Sequence, residues 1–154
     1  MIHVLFVCLG NICRSPMAEG LFKKAVADAG LENKIQVDSA ATGTWNLGNP
    51  PHEGTQRVLA KHGIDFSEMR ARKITQAVFT ENDYVIGMDA ENMADLESFD
   101  QGEATVKSLM SFVPDKQEAS VPDPYYTGNF DETERLVSEG CHYLLETIKK
   151  DYQL

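Results

Sequence analysis

Residues 7–16 of the chain read VCLGNICRSP. Cys8 and Cys13 offer two thiols, Arg14 a permanent cation and Ser15 a hydroxyl. Such a set suits a metal clip, a redox pair or a cradle for an anion. A zinc clip needs about four ligands, and the histidines, His3, His52, His62 and His142, show no ligand spacing among themselves. Metal is therefore discounted, and no cofactor is expected. Leu9, Gly10, Asn11, Ile12 and Cys13 separate Cys8 from Arg14. A strand–loop–helix of that length can wrap successive backbone N–H groups round a tetrahedral oxyanion, with the helix N-terminus adding to the positive field. Gly10 and Asn11 are the residue types that tolerate the left-handed backbone a tight concave loop needs. Arg14 adds a planar fork for two oxygens. The same field favours the thiolate of Cys8, and a thiolate beneath a bound phosphate is an activated nucleophile. The bland alternative makes Cys8 a small buried hydrophobe at a strand end, and Cys13 a side chain packed inside the loop.

The elements that must position this loop can be read around it. IHVLFV (2–7) is a near-continuous apolar run, as expected of a central parallel strand buried on both faces. Ser15 and Pro16 suit the cap and first position of a helix. Met17, Ala18, Leu21, Phe22, Ala25, Val26 and Ala29 then recur at helical spacing, and Gly30 closes the run. Further strands are expected over 34–40, 83–88 and 105–112, and helices over 52–62, 90–98 and 131–152. Segments 41–51 and 121–130 are too rich in turn formers for regular structure. Val137, Cys141, Leu144, Leu145, Ile148 and Tyr152 make the apolar stripe of the last helix, so Cys141 reads as core. Strand–helix alternation predicts an α/β fold of three layers: one domain over 1–154, with a four-stranded parallel sheet and helices on both faces. Ligands of such sheets sit at the carboxyl ends of the strands, where the loop after strand 1 lies.

Composition narrows the function classes. The 154 residues suit one domain, and 42% hydrophobic with 25% charged residues is ordinary for a globular protein. A formal net charge of −10 argues against nucleic acid or an anionic membrane as partner. No run approaches membrane-helix length, and the N-terminus lacks the marks of a signal peptide, so the cytoplasm is the expected location, although some secretion routes leave no readable signal. Three cysteines, an odd and low number, argue against a disulfide framework. The acidic cluster around 89–103 reads as a solvated face, and a monomer or weak oligomer is expected.

CLGNICRS resembles the C-x5-R-S signature of the low-molecular-weight protein tyrosine phosphatases. The resemblance continues through DSAAT (38–42), GNPPHEGTQ (48–56) and DPYY (123–126), and so covers nearly the whole chain. It implies phosphotyrosine proteins or peptides as substrates. It casts Cys8 as the nucleophile that forms a cysteinyl-phosphate, and Arg14 with the amides of Leu9 to Cys13 as the grip on the phosphoryl oxygens. Asp123 would be the general acid that protonates the leaving phenolate and later activates water. Asn11, Ser15 and Ser39 would support the loop. Leu9, Trp45, Tyr125 and Tyr126 would clasp the aromatic ring, and Cys13 would trap oxidised Cys8 as a disulfide. Some relatives carry a supporting histidine six residues after an HG histidine; counting from His62, this chain has Glu68 there, so Glu68 stays outside the set. Trp45 stands where many relatives have tyrosine.

Rival functions on the same cradle fit less well. Arsenate reductases need a further downstream cysteine pair, which is missing between Cys13 and Cys141. Protein-arginine phosphatases of the superfamily typically carry threonine where Ile12 stands and lack the paired tyrosines. A phosphate-binding module without turnover would need neither Cys8 nor Asp123.

Overall fold

The apolar run at the N-terminus becomes the strand expected of it. The computed structural model describes residues 1–154. In it β1 (Ile2–Cys8) lies between β2 (Ile35–Ala41) and β3 (Tyr84–Gly87), and β4 (Thr105–Ser108) pairs with β3. The sheet order is β2-β1-β3-β4 and every pairing is parallel, in register from Ile2 opposite Ile35 to Cys8 opposite Ala41. Val4, Leu5, Phe6 and Val7 have no exposed surface. Fully burying such side chains stabilises by about 1.5–3 kcal/mol each, so β1 is fixed from both faces. That fixes where Cys8 emerges.

Alternation along β1 divides the core in two. Val4, Phe6 and Cys8 face α1 (Arg14–Asp28) and the long C-terminal helix, with Met17, Phe22, Val137 and Leu144. Leu5 and Val7 face the other side, against Ile74, Val78, Phe79 and Leu96. The helices in chain order after α1 are α2 (Glu53–Lys61), α3 (Val78–Glu81), α4 (Ala90–Leu96), α5 (Pro124–Thr127) and α6 (Phe130–Tyr152). The three-layer parallel fold and the loop after β1 are thus as predicted. Because the chain leaves β1 for β2 on one side and β3 lies on the other, the carboxyl end of β1 is a topological switch point, the usual place for a ligand crevice.

Four local expectations are corrected. The fourth strand stops at Ser108, and Leu109–Phe112 form a 3-10 turn whose Leu109 and Met110 are fully buried. The expected irregular segment 121–130 contains α5, started by Asp123 as cap and Pro124 and ended by Gly128 at φ 72°. Helix α1 begins at Arg14, so Ser15 lies inside it, and no side chain caps its first turn. Tyr152 leaves the apolar stripe: it is 44% exposed, while Cys141 is buried as expected. Helix α3 has no counterpart in the sequence reading, which assigned nothing between 64 and 82.

Candidate active site

The loop between β1 and α1 comprises Leu9 to Cys13. Asn11 takes a left-handed conformation at φ 56°, the role its residue type allows. No backbone N–H from Leu9 to Cys13 donates a hydrogen bond within the protein. A buried or half-buried row of unspent donors at a helix start is an anion cradle. Cys8 lies at its floor, 3% exposed. Its Sγ is 3.1 Å from Ser15 Oγ and accepts from Ser15 N at 3.5 Å.

Behind the loop a chain of hydrogen bonds holds its shape. Asn11 Nδ2 donates to Ser15 Oγ at 2.7 Å and to Ser39 Oγ at 2.9 Å, while Arg72 N donates to Asn11 Oδ1 at 3.1 Å. Ser39 Oγ donates to Glu19 Oε1 at 2.6 Å, and Glu19 pairs with Lys23 one turn along α1 at 2.7 Å. The three expected supporting residues therefore meet. Glu19 and Arg72 join them, and sequence reasoning missed both. Glu68 is exposed and enters none of these bonds.

Arg14 is buried to 2% exposure and held on three sides. Nη1 donates to Asp89 Oδ2 at 2.6 Å and to Val121 O at 3.0 Å; Nη2 lies 3.4 Å from Asp123 Oδ2. Burial works against its charge, but Cys8, the Asp89 bond and Asp123 more than offset that and hold its pKa above the ordinary value. Of its side-chain nitrogens only Nε has no partner, so that N–H of the fork is free for a ligand. Asp89 corrects the sequence reading: it is no solvated acid but the ion-pair partner of the cradle's arginine, and it also caps α4. Asp123 is 21% exposed on its side chain, with Oδ1 accepting from Tyr125 N at 3.0 Å.

Cys8, Leu9, Gly10, Ile12, Cys13, Trp45, Asn46, Asp123, Tyr125 and Tyr126 line one crevice. Trp45, Tyr125 and Tyr126 rise from it, 76%, 59% and 75% exposed. Trp45 thus forms a rim and does not cap the core. Its ring lies back over Gly43, where a Cβ would overlap it. Cys13 is buried, and its thiol is pushed up to about 12 by burial first, then by Cys8 and Asp123, with Arg14 pulling the other way. All three cysteines are free.

The model of the low molecular weight phosphotyrosine protein phosphatases matches residues 3–154. The chain belongs to that family. It is 53% identical to the low molecular weight protein-tyrosine-phosphatase YfkJ of Bacillus subtilis, with both chains covered in full. The crystal structure of YfkJ superposes with a TM-score of 0.94, covering 98% of this chain and 96% of that one at 52% identity. PtpA of Staphylococcus aureus is 42% identical over all of this chain and 98% of its own. A solved Drosophila arginine phosphatase shares the fold at a TM-score of 0.87 and 32% identity, over 95% of this chain and 97% of its own. By its family the protein is an enzyme, a hydrolase of the protein tyrosine phosphatase class. No helix is long and apolar enough to cross a membrane.

Proposed function

We propose that the protein hydrolyses phosphotyrosine in proteins and peptides, and small aryl phosphates, through a cysteinyl-phosphate. The observation that carries this is the cradle: in the loop that follows Cys8 the N–H groups from Leu9 to Cys13 have no partner within the protein, and neither has Arg14 Nε. The Cys8 thiolate attacks phosphorus as the ester P–O bond breaks. Loop amides and Arg14 bind the equatorial oxygens, whose charge must be stabilised in the transition state. Asp123 gives its proton to the departing phenolate. Its carboxylate then takes a proton from water, water oxygen bonds to phosphorus, and the S–P bond breaks to release phosphate and thiolate. Asn11, Ser15 and Ser39 keep the loop and Cys8 in place. Leu9, Trp45, Tyr125 and Tyr126 hold the aromatic ring. Cys13 guards Cys8 by closing a disulfide on its sulfenic acid, with loss of water.

Tyrosine is favoured over arginine as the phosphorylated side chain because Ile12 stands in the crevice with two exposed tyrosines. A branched aliphatic side chain there narrows the room for a planar guanidinium. A functional thiolate and three unpaired cysteines suit a reducing compartment, so the cytoplasm is the proposed location. Outside the aromatic rim the exposed large apolar residues are few, Met1, Leu47, Tyr152 and Leu154, which fits a monomer or weak oligomer.

The test is turnover of phosphotyrosine and phosphoarginine peptides by wild type, Cys8→Ser and Asp123→Ala. Cys8→Ser should abolish turnover and keep peptide binding. Asp123→Ala should slow aryl phosphates with poor leaving groups most, by about 10²-fold or more. Faster phosphoarginine turnover by wild type would overturn the substrate assignment, and equal slowing of all leaving groups would remove Asp123 as the acid.

A further inference from the structure

One side chain at the edge of the crevice touches both halves of the site without lining it. His52 caps α2, with Nδ1 accepting from Gly54 N at 3.0 Å. Its backbone N donates to Ile12 O of the phosphate loop at 2.8 Å. Its ring stacks on Phe130, centroids 5.1 Å apart at 22°, and meets Tyr125 edge-on at 6.2 Å and 81°. Tyr125 in turn meets Tyr126 edge-on at 5.3 Å. Phe130 is seated against the backbone of α2: a Cβ at Gly54 would come within 2.5 Å of three of its ring atoms.

The segment carrying Asp123 and the two tyrosines therefore has two separate anchors. At the Asp123 end they are Arg14, which bonds Val121 O and faces Asp123, and Val121 N, which donates to Met88 O at 3.0 Å. At the other end the contact is aromatic and runs through His52. Helix α5 between them has only four residues, and both tyrosines are exposed, so little else fixes their rings.

We infer that His52 is a positioning residue for substrate: its ring sets where Tyr125 stands relative to the phosphate loop, and so sets affinity for the aromatic part of the substrate. This rests on the phosphatase reading above. Geometrically matched aromatic pairs each add a modest attraction beyond area burial, and here two of them converge on one imidazole. Losing them loosens Tyr125 while Arg14 keeps Asp123 in place. The effect falls on KM and spares kcat.

Two substitutions separate the ring from the cap. His52→Asn keeps a good N-cap acceptor and removes the ring. His52→Phe keeps the ring and removes the acceptor. With a phosphotyrosine peptide, His52→Asn should raise KM about threefold to tenfold, with kcat within about twofold of wild type, and should melt a few degrees lower because the stack on Phe130 is lost. His52→Phe should keep KM near wild type and melt at a lower temperature. A wild-type KM in His52→Asn, or an equal rise of KM in both variants, overturns the assignment. Turnover by wild type under the same conditions separates this from the phosphatase reading: a wild type inactive on the peptide fails that reading, whereas an active wild type with an unchanged KM in His52→Asn fails only this one.

Discussion

At the scale of single residues, the site consists of groups whose proton and charge states are set by what they touch. Arg14 is the clearest case: it stays charged while buried because Cys8, Asp89 and Asp123 stand beside it. Cys13 is the converse. Burial and the neighbouring negative groups keep it a neutral thiol at physiological pH, so it does not compete with the nucleophile proposed at Cys8. A neutral thiol also closes a disulfide slowly, since the thiolate is the attacking form. Because burial pushes the Cys13 thiol up to about 12, its thiolate fraction grows about tenfold per pH unit through the neutral range. We therefore expect the Cys8–Cys13 disulfide to close faster at pH 8.5 than at pH 7 after a peroxide pulse, as read by mass spectrometry of the alkylated protein. Cys13→Ala should leave turnover of aryl phosphates within about twofold and make peroxide inactivation irreversible by thiols. Overoxidised Cys8 with no disulfide in the wild type would rule out the guarding role. Cys8 and Arg14 were legible in the sequence because a local spacing encodes their chemistry. Asp89 and Glu19 were not, because their partners lie 75 and 20 residues away and an isolated acid carries no mark of its partner.

At the scale of elements, the strand–loop–helix unit follows from local pattern alone, since a buried strand and a capless helix start leave the loop amides unspent. What joins the elements is less local. Glu134 of α6 accepts from Lys61 Nζ at 2.6 Å and pairs with His62 Nε2 at 2.7 Å, clasping the end of α2 to α6. Burial pushes its carboxyl pKa up, but the bonds from Lys61 and His62 outweigh that and hold it below the usual value. A pKa depressed in the folded state stabilises fully above the unfolded carboxyl's pKa and is lost as pH falls through the folded one. Glu134→Gln should thus lower the melting temperature at pH 7 by about 2 °C, a small effect because Lys61 is exposed and solvent screens the pair. The gap should close below about pH 4. A constant gap across pH would assign the clasp to packing and not to charge. The same non-locality explains which elements were legible. Strands β1 to β3 and the long helices carry their own periodicity. The strap over residues 71–74 does not: Ala41 N donates to Arg72 O, Ile74 N to Ala41 O, and Arg72 N to Asn11, so backbone groups far apart in sequence define it. The fourth strand was overextended because Leu109 and Met110 are as apolar as a strand, yet their burial comes from a 3-10 turn packed under α6.

At the scale of the whole molecule, a protein of net charge −10 must admit a phosphate dianion. The cradle's attraction is short-ranged: its one cation is 2% exposed and two carboxylates stand beside it. The crevice lining holds no lysine, arginine or histidine, and its one charged carboxyl is Asp123. A substrate far from the site therefore meets a repulsive field, and feels the loop amides only on contact. Salt screens the first and leaves the second nearly intact, because exposed charges are screened beyond about 10 Å at 0.1 M while buried contacts are not. For a phosphotyrosine peptide with acidic flanks, kcat/KM should rise severalfold as ionic strength goes from about 0.01 to about 0.15 M. With basic flanks, the attraction to the acidic surface is screened instead and kcat/KM should fall. The crossing of the two series separates a field effect from a general effect of salt on the enzyme, which would move both in one direction. If acidic flanks were favoured at low salt, a cationic patch at the mouth would have to dominate the net charge, and the crevice described here has no residue to supply it.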